Sequence, residues 1–362
     1  MEINIRGRKL TVPVIQGGMG VGISLDRLAG AVASCGGMGT ISTALCGYKE
    51  PDFEKRPHEA NLRALDRQVR HAKELSLGRG MVAVNAMVAT TQYADSIRTA
   101  LRAGADAIVC GAGLPKDLPG IAQEVAESDG AIAPIVSSQR AAVLLCRLWD
   151  KHYGRIPDFI ILEGPLAGGH LGFTPEDAQM AQEEERTGLD TLLADVLDGI
   201  KPYIDKYGHD IPVFVAGGIK NGTEMAEYMK KGAAGGQFAT RFITTTECDA
   251  SDEYKHKLLK ANKEDVTIIK SPVGMPGRAL KTPLIDRVES GTQGRPEKCT
   301  RCLKVCDPKT TLYCISDALV AAAKGDYENG LFFCGSNVGS AGSVTTVKDE
   351  IDTIMAEWRS GQ

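Results

Sequence analysis

The chain has 362 residues, 43% of them hydrophobic, enough for a sizeable buried core, and a formal charge of -4. That charge and the absence of a basic cluster argue against nucleic acid as a partner. No segment reaches the apolar length of a membrane span and the opening MEINIRGRKL lacks the apolar core of a signal peptide, so the expected setting is the cytoplasm.

The first expected strand, Val12 to Gln16, runs into Gly17-Gly18-Met19-Gly20, a loop with almost no side-chain bulk. Backbone amides there can approach a flat ring or a phosphate. A second glycine-rich stretch, Gly36-Gly37-Met38-Gly39, enters the second strand, Met38 to Ser42. Tight packing is the competing explanation for both. The segment Gly47 to Leu62, rich in Lys, Glu and Pro, reads as a lid that selects substrate. Arg63, Arg67 and Arg70 fit a solvated helix face.

Three further strands are expected at Met81 to Met87, Ala107 to Gly113 and Ala131 to Ser138. The sixth, Phe159 to Glu163, opens the most informative stretch of the chain, FIILEGPLAGGHLGF. Its apolar run reads as a strand buried on both faces. The glycines after it allow close backbone approach to a ligand, and His170 then lies at the mouth of a site. The alternative for a lone histidine is a satisfied structural role. The acidic run Glu183-Glu184-Glu185-Arg186 fits another solvated face. The seventh and eighth strands are Pro212 to Gly218 and Gly235 to Phe242.

Most of these strands start about 25 residues apart, the length of one strand-helix unit. Eight such units close a (β/α)8 TIM barrel of roughly 250 residues, which residues 1–243 supply. The rival is an open doubly wound sheet, which normally carries its phosphate glycines after the first strand. In a barrel, the loops after strands seven and eight form the usual phosphate site. AGGIKNG and GGQFATRF occupy those positions, where a phosphorylated cofactor such as FMN would be held.

Residues 244–362 read as an extension packed on the barrel, with Thr244 to Pro296 polar and glycine/proline-punctuated and only the end helical. Five of the ten cysteines fall in the segment 299–334. Cys299, Cys302, Cys306 and Cys314 have C-x2-C-x3-C-x7-C spacing, a pattern that can enclose an iron-sulfur cluster or a structural zinc, with Cys334 as an alternative ligand. Ligand softness does not separate the two metals. Free thiols in a small helical cap are the other reading; a disulfide framework does not suit a cytosolic chain.

The ordered series PVIQGGMG (13–20), GGMGTIS (36–42), AVNAMV (83–88), CGAGLP (110–115), EGPLAGGHLG (163–172), VAGGIKNG (215–222) and ATRF (239–242) resembles the nitronate monooxygenase family. That family, also called 2-nitropropane dioxygenases, includes the flavin-type enoyl-acyl carrier protein reductases. SPVGMPGRALK (271–281) is similar to the family segment that folds back over the active site. The resemblance implies a TIM barrel that binds FMN non-covalently. It places Gly17, Gly18 and Met19 against the flavin ring and Asn85 at its polar edge. Gly168, Gly217, Gly218, Gln237 and Thr240 fall around the ribityl chain and phosphate, and His170 matches the catalytic histidine. The chain departs from the family at Leu166, where many relatives are polar, and at Ala239, where glycine is commoner.

Two chemistries follow from the resemblance. In the first, an alkyl nitronate reduces the flavin and oxygen completes the turnover, while His170 binds the nitro oxygens or removes an α-proton from a neutral nitroalkane. In the second, NADH or NADPH reduces the flavin and an enoyl thioester receives hydride, with His170 polarising the carbonyl or delivering a proton. A third reading makes the cysteine module a dock for an acyl carrier protein or redox partner. A homodimer is compatible with all three.

Overall fold

The computed structural model describes residues 2–184, 188–339 and 342–362. The chain opens with an antiparallel hairpin of β1 (Ile3–Ile5) and β2 (Arg8–Leu10). The barrel strands are β3 (Val14–Gln16), β4 (Met38–Ser42), β5 (Met81–Met87), β6 (Ala107–Gly111), β7 (Ala131–Val136) and β8 (Ile160–Glu163), then, after the short β9 (Gly169–His170), β10 (Val213–Ala216) and β11 (Gly235–Phe238). β10 pairs with both β8 and β11, and β11 pairs with β3, so the eight parallel strands close without an edge. The expected TIM barrel is present.

Alternation along each strand sorts the apolar residues into two cores. Ile15, Met38, Ala83, Val109, Ala133, Ile161 and Phe214 fill the lumen. Their neighbours Val14, Val82, Ile108, Ile132, Leu162 and Val215 face the surrounding helices. Ile3, Ile5 and Leu10 join the lumen cluster, so the first hairpin plugs the barrel. It does so at the end where strands begin, because Arg8 donates to Asp106 at 3.1 Å, one residue before β6.

The barrel helices are α1 (Asp26–Ser34), α2 (Pro57–Leu75), α3 (Tyr93–Arg102), α4 (Leu118–Gln123), α5 (Gln139–Tyr153), α7 (Leu189–Tyr207) and α8 (Gly222–Lys230), with α6 (Pro175–Glu183) following β9. α5 illustrates why they form. The Ser138 hydroxyl accepts the Ala141 N–H at its start, and Gly154 at φ +60° ends it. Ala142, Leu145, Cys146 and Trp149 recur at helical spacing and are fully buried against the strands.

The structure refines several of the sequence expectations. The eighth strand ends at Phe238, and Thr240–Ile243 forms a single helical turn, α9. Its partner β3 also stops there: Gly17 N–H donates to Phe238 O at 2.8 Å, and the glycine loop beyond offers no further ladder. Gly36, Gly37 and Gly39 serve packing; a Cβ on Gly39 would lie 1.9 Å from Ala29 O of α1. The segment 47–62 does not line the barrel cavity. It is pinned instead, with Glu50 and Asp52 paired to Arg63 and Arg67 of α2, and Asn61 receiving Gly47 N–H at 2.9 Å. Glu185 and Arg186 of the acidic run lie outside the described residues.

The polar stretch 244–296 is also more ordered than its composition suggests. It holds α10 (Asp252–Lys260), the strands β12 (Val266–Lys270) and β13 (Pro276–Leu280), and α11 (Pro283–Glu289). β12 and β13 form an antiparallel hairpin to which β9 adds a third strand. Then come α12 (Ile315–Ala323) and α13 (Val347–Ser360). Among the described residues, no helix is long and apolar enough to cross a membrane.

α13 docks on α8 so closely that a Cβ on Gly222 would sit 1.8 Å from Ile354 O, while Glu357 accepts Gly222 N–H at 2.9 Å. Gly222→Ala is therefore expected to destabilise the protein by roughly 1–3 kcal/mol through overpacking. Denaturant unfolding measures this; an unchanged midpoint would mean that α13 does not rest there.

Candidate active site

The C-terminal ends of the barrel strands open into a cavity of about 420 Å³, within the usual range for a small-molecule site. Gly17, Gly18, Met19, Asn85, Gly168, His170, Gly217, Gly218, Gln237 and Thr240 all line it. Residues far apart in sequence are thus brought to one cavity.

The floor is built for close approach. A Cβ on Gly18 would lie 2.4 Å from Asn85 Cβ, and one on Gly17 would lie 3.2 Å from the Gln237 amide. Among the described residues, the side-chain amides of Asn85 and Gln237 have no hydrogen-bond partner, although both line the cavity. At the far end Gly217 and Gly218 adopt φ of +70° and +143°, the left-handed region that favours glycine. Thr240 there accepts Gly335 N–H at 3.0 Å. Arg241 is drawn away by α13, pairing with Glu350 and, at 3.3 Å, with Glu357.

His170 is held by the segment after the barrel. Its backbone pairs with Gly277 of β13, its Nε2 lies 2.7 Å from Ser271 Oγ, and its ring meets Phe333 edge-on at 5.1 Å. Burial lowers its pKa to about 4, so the ring is neutral at ordinary pH.

Three residues that sequence reasoning missed shape this wall. Arg278 is fully buried; it donates to Gln182 Oε1 at 2.9 Å, to Pro165 O at 2.8 Å, to Ala178 O at 3.0 Å and to Ala167 O. Burial lowers its pKa to about 10. Glu163 follows Phe159 and Ile161 on the lumen-facing side of β8 and lines the cavity. Burial raises its pKa to about 8, against an opposing pull from Arg278, so it is mainly protonated at neutral pH. Ser271 is the third. An arginine inside the otherwise apolar run of β13 was the one available signal.

The cysteine module lies elsewhere. Residues 301–304 dock on the loop after β5, where Thr91 N–H donates to Cys302 O at 3.0 Å and Lys304 N–H to Ala89 O at 2.9 Å. Cys302 Sγ receives the Ser316 hydroxyl at 2.9 Å, and Cys299 is exposed. Burial raises the Cys306 and Cys314 thiols, the latter to about 11. Among the described residues, no group of three or more Cys, His, Asp or Glu side chains is arranged to hold a metal, so the ligand set expected from the spacing is not assembled in this structure. All ten cysteines are free. Cys334 belongs to the cavity wall, where its backbone abuts Gly168.

Glu163 has a consequence for stability. Between pH 4.5 and about 8 the unfolded chain has released this proton and the folded chain retains it, so stability falls as pH rises through that window. Glu163→Gln removes the linkage. Unfolding midpoints at pH 5 and pH 8 should differ less in the variant than in the wild type, and equal differences would place the carboxyl in water.

Curated relatives resemble this chain at low identity. The chain is 28% identical over 287 residues to a (3aS,4S,5R,7aS)-5-hydroxy-7a-methyl-1-oxo-octahydro-1H-indene-4-carboxyl-CoA dehydrogenase of Mycobacterium tuberculosis, covering 78% of this chain and 67% of the relative. It is 26% identical over 299 residues to a probable nitronate monooxygenase of Staphylococcus saprophyticus, covering 76% and 77% of the two chains. Among solved structures, FabK from Thermotoga maritima has the same fold, with a TM-score of 0.69 at 24% identity over 97% of this chain and 94% of that one. Residues 5–357 match the nitronate monooxygenase family model, and the chain belongs to that family of oxidoreductases.

Proposed function

We propose that this protein is an FMN-dependent oxidoreductase that oxidises alkyl nitronates with oxygen. FMN fits the residues present: a cavity of about 420 Å³, glycines at 17, 18, 217 and 218 where side chains would intrude, and two side-chain amides, Asn85 and Gln237, that have no partner among the described residues. Gly17, Gly18, Met19 and Asn85 are assigned to the ring, and Gly168, Gly217, Gly218, Gln237 and Thr240 to the ribityl chain and phosphate. When bound, FMN supplies the two-electron chemistry.

The observation that carries the substrate assignment is the setting of His170, which lines the cavity, is buried, and has its Nε2 2.7 Å from Ser271 Oγ. A ring with a pKa lowered to about 4 is a poor base at neutral pH, and a nitronate needs none because its α-carbon is already deprotonated. His170 binds and orients the nitro oxygens, while Gly17 and Gly18 leave the floor open to a flat ring. Leu166 and Ala167 supply apolar wall beside it, which limits water.

A second reading, NAD(P)H-dependent reduction of an enoyl thioester, draws support from the relative named as a carboxyl-CoA dehydrogenase. There His170 polarises the thioester carbonyl, and the acyl group arrives on coenzyme A or an acyl carrier protein. The thiols of Cys299, Cys302, Cys306 and Cys314 take no step in either reaction. Their use as zinc or iron-sulfur ligands, or as a dock for a redox partner, is a separate proposal that metal analysis of the purified protein and truncation before Pro296 address.

Anaerobic mixing separates the two reactions. Bleaching of the flavin absorbance by an alkyl nitronate alone supports the first, and rapid bleaching by NADH or NADPH moves the assignment to the second. His170→Ala is expected to retain FMN and lose about 100-fold or more in turnover; full activity would remove His170 from the mechanism. Gly218→Val should instead be purified without FMN, since φ +143° excludes a branched side chain. A full flavin complement in that variant would relocate the phosphate.

A further inference from the structure

The contacts of Ser271 decide which nitrogen of His170 carries the proton. Ser271 sits in the turn between β12 and β13, closed by Gly274 N–H donating to Ser271 O at 3.0 Å, and is only 9% exposed. Its hydroxyl oxygen meets two groups: Val273 N–H at 3.3 Å and His170 Nε2 at 2.7 Å. The backbone N–H can only donate, so it occupies one lone pair of the oxygen.

If Nε2 carried a hydrogen, it would take the second lone pair. The buried Ser271 O–H would then have no acceptor among the described residues. If Nε2 is bare, it accepts the O–H, and all three polar groups are satisfied. The neutral ring must then hold its hydrogen on Nδ1. That nitrogen has no protein partner among the described residues, and the ring lines the cavity.

We propose that Ser271 is a positioning residue that fixes His170 as the Nδ1–H tautomer, so that the ring offers the cavity a hydrogen-bond donor and no base. The proposal rests on the reading that His170 faces the substrate. It narrows the substrate class of that site. An Nδ1–H donates to a nitronate oxygen, or to a thioester carbonyl, and no proton changes hands. It cannot remove the α-proton of a neutral nitroalkane, because its one bare nitrogen is occupied by the serine. The lowered pKa of His170 keeps the ring in this singly protonated form through neutral pH. Phe333, edge-on to the ring, offers no competing hydrogen-bond partner.

The test is long-range proton-nitrogen NMR on the flavin-loaded protein labelled with 15N-histidine, with the His170 signals identified by their loss in His170→Gln. The expected wild-type pattern between pH 6 and 8 is a protonated Nδ1 and a bare Nε2. Ser271→Ala should shift the pattern towards a protonated Nε2, and Ser271→Thr, which keeps the hydroxyl, should restore the wild-type spectrum. A protonated Nε2 in the wild type overturns the proposal, as does a Ser271→Ala spectrum with the tautomer unchanged. If Ser271→Ala fails to fold, the wild-type and Ser271→Thr spectra still decide. Turnover is a second readout: preformed nitronate should react about 100-fold faster than the neutral nitroalkane, and equal rates argue for a base. Failure of both compounds to react would count against nitronate oxidation and leave the tautomer assignment to the spectrum.

Discussion

The burial of one guanidinium organises the site. Arg278 has no exposed surface and, among the described residues, no carboxylate bonded to it, so its charge is tolerated because four oxygen acceptors converge on it. Two are Pro165 O and Ala167 O in the loop after β8, and two, Ala178 O and Gln182 Oε1, come from α6. Neither the loop nor the helix can move without leaving donors unmade. β13, which carries Arg278, therefore locks the barrel's sixth loop from outside. Gly169 and His170 then join its ladder as β9. The histidine is held on a sheet edge, although the sequence around it reads as a loop.

The opposite end of the cavity follows a different logic. Arg241 stands where a phosphate would be expected to recruit it, yet α13 claims it through Glu350 and Glu357. Glu357 also accepts the first N–H of α8, so the last helix of the chain is tied to the loop after the seventh strand. With FMN placed as proposed, anion binding there would fall mainly to backbone amides at the glycine positions, which suits a fixed phosphate more than a mobile substrate.

The barrel was legible because most strands are apolar runs buried on both faces; barrel geometry pointed to the loops after the seventh and eighth strands, and the resemblance to the nitronate monooxygenase family supplied the individual cavity residues. Legibility ended where long-range contacts took over. Ser271 and His170 are 101 residues apart, and Arg278 and Pro165 are 113 apart; no periodicity joins them. The segment 47–62 looked like a lid because Lys, Glu and Pro mark exposed loops, but Glu50 and Asp52 tie it to Arg63 and Arg67 of α2 and its last residues are the start of that helix. The cysteine spacing pointed to a metal, whereas the fold uses Cys302 to meet Ser316 and carries Cys334 to the cavity wall. The run Thr244 to Pro296 seemed irregular because its polar, glycine- and proline-punctuated composition masks a hairpin that is completed by β9, a partner that local sequence does not reveal.

The charge balance of the site follows from these contacts. Low polarity drives His170 and Glu163 in opposite directions, each towards its neutral form. Arg278 cannot escape in this way, since even at about 10 its pKa leaves it charged at neutral pH. Of these three groups, then, the one that keeps a charge is positive, and it lies behind the loop rather than in the cavity. A substrate that arrives as an anion, or builds negative charge on an oxygen beside His170, meets that potential with no ionised Glu163 to oppose it. A neutral substrate gains little from it. On the proposed function, the same burial that weakens His170 as a base would favour an oxyanion there, because the guanidinium acts through a medium with little water to screen it.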